Sequence, residues 1–249
     1  MMEAEIMAKT VLIIGASSGI GEAIARRLLA DGYIVFAGAR RPERMTALRE
    51  AGAKLIALDV TDEASMSAAI QAIVSDGGLD VLVNNAGYGS YGSLEEAPPE
   101  EGRRQFEVNV FGLARLTQLV LPTMRSRGAG RIVNIASIGG KIHEPFGGWR
   151  HASKFAVEAL SDCLRMETRG MGVDVIVIES GAIKTEWNTI ARDNLLKYSG
   201  QGAYRRTAQA HGRMLAAARP RTRYATGSGV APRRSRFCAG CCRTVASIG

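Results

Sequence analysis

A chain of 249 residues, 46% of them hydrophobic, can close one large hydrophobic core, and its 6% aromatic content beside 29 glycines favours helices packed on a sheet over an all-β sandwich. No run approaches the ~18 apolar residues that span a bilayer, and MMEAEIMAK at the start carries acidic residues without an apolar leader core. A cytoplasmic protein with no membrane span is expected. The net charge of +8 is confined to the C-terminal quarter, since eleven Lys and Arg follow Asp193 with no acidic residue among them. Without aromatic interleaving those cations read as a solvated tail in preference to a nucleic-acid arm, so no nucleic-acid partner is expected, with nucleic-acid binding by the tail the third functional reading.

In chain order, TVLII (10–14) is a short apolar run ending at Gly15, a helical pattern covers 20–31, and YIVFAGA forms a second run. Strand, helix and strand within some thirty residues make a βαβ unit. The alternation continues through KLIALDV, a helix over about 62–75, DVLVNNAG, a long helix over about 100–127, RIVNIAS, a helix over about 151–169, and VDVIVIESG. Continuous apolar strands separated by helices predict an α/β, doubly wound parallel sheet covered on both faces, with ligands at the carboxyl ends of the strands. From about 184 to 217 the pattern is helical but irregular, and after 218 Pro, Gly, Ser and Arg dominate without a period. The expected organisation is one Rossmann-type domain over 1–217 and an atypical tail over 218–249.

IIGASSGIGEAIA follows the first strand and opens the first helix. Gly15, Gly19 and Gly21 allow a sharp turn and close approach to a pyrophosphate, held by N–H groups and the positive end of the helix. Glycines alone are a weak signal; between a strand and a helix they favour a nucleotide. The second strand ends in GARRPER, with no acidic side chain for a ribose 2′-hydroxyl. Arg40 and Arg41 offer cations for a 2′-phosphate instead, so NADP(H) is expected, with NAD(H) the alternative.

GASSGIG together with NNAG (84–87) resembles the short-chain dehydrogenase/reductase family over about residues 10–185. That resemblance implies a cofactor site containing Gly15, Ser17, Ser18, Gly19, Ile20, Gly21, Arg40, Arg41, Asp59, Val60, Asn85, Ala86, Gly87, Lys154, Ile183 and Thr185. It implies hydride exchange with a carbonyl carbon, in which a tyrosine exchanges the proton, a serine bonds the substrate oxygen, a lysine lowers the tyrosine pKa and an asparagine holds a relay water. Asn109 in EVNVFG, Ser137 in NIASIGG and Lys154 in HASKFAVE match three of these. One helical turn before Lys154, the tyrosine position holds Arg150.

A phenol of reference pKa ~10 can exchange a proton once cations lower it, whereas guanidinium, above ~12, stays charged. Loss of the acid–base group alone costs about 10²–10⁴ in rate. His151 titrates usefully, but adjacent helical residues point about 100° apart, so it should face elsewhere. Tyr88 and Tyr91 are nearer the cleft. Ile14 and Ser180 replace a common threonine and proline of the family, and Ser180 should loosen the nicotinamide-holding segment.

The walls SIGGKIHEPFGG and EWNTIARDNLLKYSGQGAYRR carry few fixed charges and suit a lipophilic alcohol or ketone. The resemblance is nearest the branch of hydroxysteroid dehydrogenases and acyl-dihydroxyacetone-phosphate reductases. Paired helices in that family imply a homodimer or homotetramer, while Val108, Phe111, Leu113, Leu116, Leu119 and Val120 could equally be buried within one subunit. No metal site is expected: Cys238, Cys241 and Cys242 lack a fourth ligand, adjacent His143 and Glu144 make poor ligands, and Cys163 reads as a small buried hydrophobe. The tail reads as a changed frame or degenerate end. The alternative function is a non-catalytic NADP(H)-binding protein acting through partner contacts.

Overall fold

A computed structural model describes residues 8–181 and 186–216. Ile183, Thr185 and the tail over 218–249 lie outside the described residues. The elements run β1 (Thr10–Ile14), α1 (Gly19–Ala30), β2 (Ile34–Ala39), a 3₁₀ turn (Pro42–Met45), α2 (Thr46–Glu50), β3 (Lys54–Ala57), α3 (Glu63–Ser75) and β4 (Val81–Asn84). There follow α4 (Pro99–Phe106), a π turn (Glu107–Phe111), α5 (Gly112–Arg127), β5 (Gly130–Ile135), a 3₁₀ turn (Ile138–Gly140), α6 (Gly148–Glu167), β6 (Val173–Ile178), α7 (Glu186–Ser199) and α8 (Arg205–Ala216).

The expected parallel sheet is present, with all strands parallel in the order β3-β2-β1-β4-β5-β6. Strand alternation divides the core. Val11 and Ile13 face one layer with Ala25, Leu28, Val35 and Leu48, while Leu12 and Ile14 face the other with Ile70, Ile73, Leu116 and Val120. Each fully buried aliphatic of this kind contributes roughly 1.5–3 kcal/mol, so both layers hold the strand ends in fixed register. The chain order reverses between β1 and β4, which opens a crevice at their carboxyl ends.

Several residues fall differently from expectation. The long helix expected over 100–127 is interrupted by the π turn. α2, with five residues, was not anticipated. Cys163 is exposed rather than buried, because the buried side of α6 runs through His151, Ser153, Val157, Glu158 and Ser161 and leaves position 163 off that stripe. Leu113, Leu116 and Val120 are buried within the subunit, whereas Phe111 remains 55% exposed. Among the described residues no helix is long and apolar enough to cross a membrane, and no cluster of three or more metal-ligating side chains is present.

Candidate active site

The turn after β1 is made by backbone. Gly15 adopts φ +75°, and a Cβ there would stand 2.9 Å from the Ala86 Cα. Its N–H donates to the Gly38 carbonyl at 2.8 Å. From β4, Asn85 Nδ2 donates to the carbonyls of Ile14 and Gly15 at 3.1 Å each, clamping the turn to the neighbouring strand. A Cβ on Gly21 would fall 2.5 Å from Asn85 Nδ2 and would collide with the Gly15 carbonyl, so only glycine lets α1 start here. Ser18, the extended N-cap of α1, makes no side-chain capping bond. The amides of Gly19, Ile20 and Gly21 therefore have no side-chain cap at the positive end of the helix, with Ser17 beside them.

Arg40 and Arg41 follow β2 and are exposed. Beyond β3, Asp59 Oδ1 accepts from the Thr61 N–H and hydroxyl at 2.9 and 2.8 Å. Its neighbour Val60 is buried against α5, where a Cβ on Gly112 would lie 2.5 Å from the Val60 carbonyl.

Gly87, at the end of the β4 segment, joins this half to the other. A Cβ on it would lie 3.8 Å from Asn109 Oδ1 and 3.9 Å from Lys154 Nζ. Asn109 sits in the π turn, 2% exposed. The wider turn presents its amide to three groups: Oδ1 accepts from the Tyr88 N–H at 2.8 Å, and Nδ2 donates to the Tyr88 carbonyl at 2.8 Å and to Ser153 Oγ at 3.0 Å. Lys154 Nζ donates to the Ile135 carbonyl at the end of β5, at 2.8 Å. Burial, and secondarily the Arg150 charge, push the Lys154 amine down to about 8, against an opposing pull from Glu158.

Ser137 follows β5. Its hydroxyl accepts from the Gly139 N–H at 3.1 Å and donates to the Ser180 carbonyl at 3.3 Å. Arg150 Nη2 donates to the same oxygen at 3.1 Å. The guanidinium is also held by rings, with its carbon 5.0 Å from the Trp187 centroid and 5.8 Å from that of Tyr91. A Cβ on Gly139 would stand 2.5 Å from Arg150 Nη1, so the guanidinium lies directly on that glycine.

His151 does not face away. Its Nδ1 lies 2.8 Å from the Gly139 carbonyl and must carry a proton to bond there, and its Nε2 is 3.7 Å from Glu144 Oε1. Arg150 Nη1 approaches that carboxylate oxygen at 4.0 Å. The loop over 141–147 folds back across the start of α6, so adjacent residues on different helix faces reach one carboxylate. At Ser180 the hydroxyl donates to the Ala136 carbonyl at 3.2 Å and the carbonyl accepts from the Ile138 N–H at 2.9 Å; the nicotinamide-holding stretch that Ser180 was expected to loosen continues into 182–185, outside the described residues.

Neither nearby phenol is a ready acid. Burial, reinforced by a hydrogen bond to Glu101, pushes Tyr88 up to about 12. Tyr91, 2% exposed, is raised further by burial despite the Arg150 charge, and its hydroxyl donates to Glu144. Trp187 and Glu144, which position Arg150, were not anticipated in that role: each reaches the site by long-range packing, which leaves no local pattern.

The model of the short chain dehydrogenase family matches residues 9–195. The chain is 40% identical over 186 residues to the 3-ketodihydrosphingosine reductase of Bacteroides thetaiotaomicron, a match covering 74% of this chain and 66% of that protein. Among solved structures, a short-chain dehydrogenase/reductase of Burkholderia phymatum in complex with NAD superposes with a TM-score of 0.74 at 29% identity, covering 84% of this chain and 78% of that one. The closed form of a serine dehydrogenase complexed with NADP+ superposes with a TM-score of 0.71 at 30% identity, covering 81% of this chain and 87% of the other.

Proposed function

Because the chain belongs to the short-chain dehydrogenase family, we propose that it is an NADP(H)-dependent oxidoreductase of a lipophilic alcohol or ketone whose turnover is slowed by Arg150. The observation that carries this reading is the guanidinium bonded to the Ser137 hydroxyl, with Lys154 one helical turn after Arg150 and bonded to the carbonyl of Ile135 at the end of the strand that leads to Ser137.

The β1–α1 turn fits a dinucleotide, since its glycines leave no side chain over the uncapped first amides of α1. Gly15, Ser17, Ser18, Gly19, Ile20 and Gly21 would hold the pyrophosphate, Asp59 and Val60 the adenine, and Asn85, Ala86 and Gly87 the adjoining ribose. Exposed Arg40 and Arg41 would pair with a 2′-phosphate. A nicotinamide dinucleotide bound there supplies hydride exchange with a carbonyl carbon. Ser137 would orient the substrate oxygen, and Lys154 would add positive charge beside it. Asn109 holds the Tyr88 backbone and α6 in place. Arg150 supplies charge and a hydrogen bond to that oxygen but cannot yield a proton near neutral pH.

The reductase relative acts, by its name, on 3-ketodihydrosphingosine. A hollow of about 700 Å³ is lined by Ser93, Leu94, Glu95, Pro145, Phe146, Tyr204 and Thr207 and by none of Ser137, Arg150 or Lys154, so it bears on the substrate only through the apolar Leu94, Pro145 and Phe146 of its walls. Exposed Phe111, Phe155 and Met166 support a homo-oligomer. The catalytic unit is assigned to residues 1–217 and the Arg- and Cys-rich segment to 218–249. A second reading, a cofactor-binding protein without turnover, is favoured by the packing of the Arg150 guanidinium on the rings of Trp187 and Tyr91.

Cofactor titration with a panel of long-chain ketones tests the proposal. NADPH should bind with turnover at least about 10²-fold below a tyrosine-bearing family member. Replacing Arg40 and Arg41 with Ala should weaken NADPH by roughly tenfold while sparing NADH. Failure to bind either dinucleotide would reject the reading.

A further inference from the structure

We infer that Lys141 is a positioning residue for this cleft: its ammonium, bonded to the buried carboxylate of Glu158, ties the 3₁₀ turn that follows Ser137 to the helix that carries Lys154. The inference rests on the reading of this cleft as the active site and adds to it a residue outside the group proposed to touch the reacting atoms.

Glu158 faces the interior from α6 and is 5% exposed. A carboxylate taken out of water there needs a cation beside it. Lys141 Nζ stands 2.8 Å from Glu158 Oε2, and the lysine side chain remains 35% exposed, so it reaches inward from the surface. The same ammonium lies 3.9 Å from Glu179, the residue after β6. One cation therefore serves two carboxylates, one on α6 and one at the end of β6.

The backbone leading to Lys141 is the frame of Ser137. The Gly140 N–H donates to the Ser137 carbonyl at 2.8 Å and the Lys141 N–H to the Ile138 carbonyl at 2.9 Å. The Ile138 N–H donates to the carbonyl of Ser180, the residue after Glu179. Gly140 lets this turn lie directly on α6, since a Cβ there would stand 2.9 Å from both the Lys154 carbonyl oxygen and Glu158 Cγ. The segments carrying Ser137, Lys154 and Ser180 thus converge on Lys141.

The tie also carries charge. Glu158 lies one helical turn after Lys154 and favours its charged amine, against the burial and the Arg150 charge that lower it. Lys141 neutralises Glu158 and so limits that pull. Behind these groups stand Glu144, 4.0 Å from Arg150, and Glu179 at Lys141.

NMR titration of the Lys154 amine in the full-length protein, beside thermal melts, tests the inference. Glu158→Gln should move the titration below about 8 and Lys141→Met should move it above, because one removes the anion and the other leaves it unneutralised. Loosening of the fold alone does not produce opposite shifts. Lys141→Met should lower the melting temperature by roughly 5 °C or more, Lys141→Arg should stay near native, and Lys141→Met with Glu158→Leu should recover most of the loss. With a reducible ketone, Lys141→Met should slow single turnover about tenfold or more at unchanged NADPH affinity, and Lys141→Arg should restore it. If Lys141→Met does not fold, Glu158→Gln and the double variant decide the same question. A Lys154 titration that stays in place in the single variants, or a melting loss as large in Lys141→Arg as in Lys141→Met, would overturn the inference. The titration and melts need neither dinucleotide nor ketone, so failure to bind dinucleotide rejects the proposed function and leaves their result standing.

Discussion

The turn after β1, clamped by Asn85, and Lys154 of α6, near Gly87, are linked through the segment after β4, yet the two regions are specified in opposite ways. The first is almost wholly backbone: three glycines, an uncapped helix start and an asparagine clamp, with no charged side chain in the turn itself. The second depends on side-chain identity, because Ser137, Lys154 and Arg150 meet their partners through side-chain atoms. A single residue can therefore change the chemistry of the second while the first, and the sheet, stay as they are.

The comparison breaks most sharply if the backbone half is disturbed. Gly21→Ala places a Cβ into the Gly15 carbonyl and Asn85 Nδ2, and should cost about 1–3 kcal/mol of stability together with most dinucleotide affinity. Thermal melts and NADPH titration would read both. An unaltered melting point would mean that the close approach of α1 to the β1 turn is not required.

Asn109→Ala tests the bridge between the halves. Three hydrogen bonds are lost at a buried position, leaving the Tyr88 N–H and carbonyl without their Asn109 partner, and a destabilisation of about 1–3 kcal/mol is expected in denaturant unfolding. A loss below about 0.5 kcal/mol would show that the π turn holds without its amide.

A subtler separation comes from Lys154. Its amine titrates at about 8 in the folded chain against 10.5 for the ordinary side chain. Between those values the unfolded chain binds the extra proton, so this group makes stability rise with pH through that window and imposes its penalty below it. Arg150→Met removes one cause of the lowering and should narrow the window. Unfolding curves for both proteins across it would differ in slope, and parallel curves would separate Arg150 from Lys154 electrostatically.

The same division explains what could be read from residue order. β1 was legible to its ends because an apolar run stops at a glycine that must turn. KLIALDV was read too long: β3 is the edge strand and leaves the sheet after Ala57, where pairing with β2 ends. The five-residue α2 is too short to show a period, and the π turn at Asn109 preserves an apolar pattern that resembles continuous helix. Ser137, Lys154 and Arg150 were identified by the family resemblance; Arg150 bonds the Ser137 hydroxyl and its charge acts on Lys154, while their roles belong to the proposal. The partners that fix Arg150 were not identified, since Glu144 and Trp187 arrive from separate loops and helices. His151 likewise required knowledge of how the loop over 141–147 folds back onto α6.

The central claim is that a permanent cation stands where the reacting oxygen needs an exchangeable proton. The most direct measurement is the single-turnover rate of NADPH-dependent ketone reduction in the native chain and in Arg150→Tyr. A rise of about 10²-fold or more in the variant, with cofactor affinity unchanged, is the predicted result. A native rate equal to or above that of the variant would contradict it.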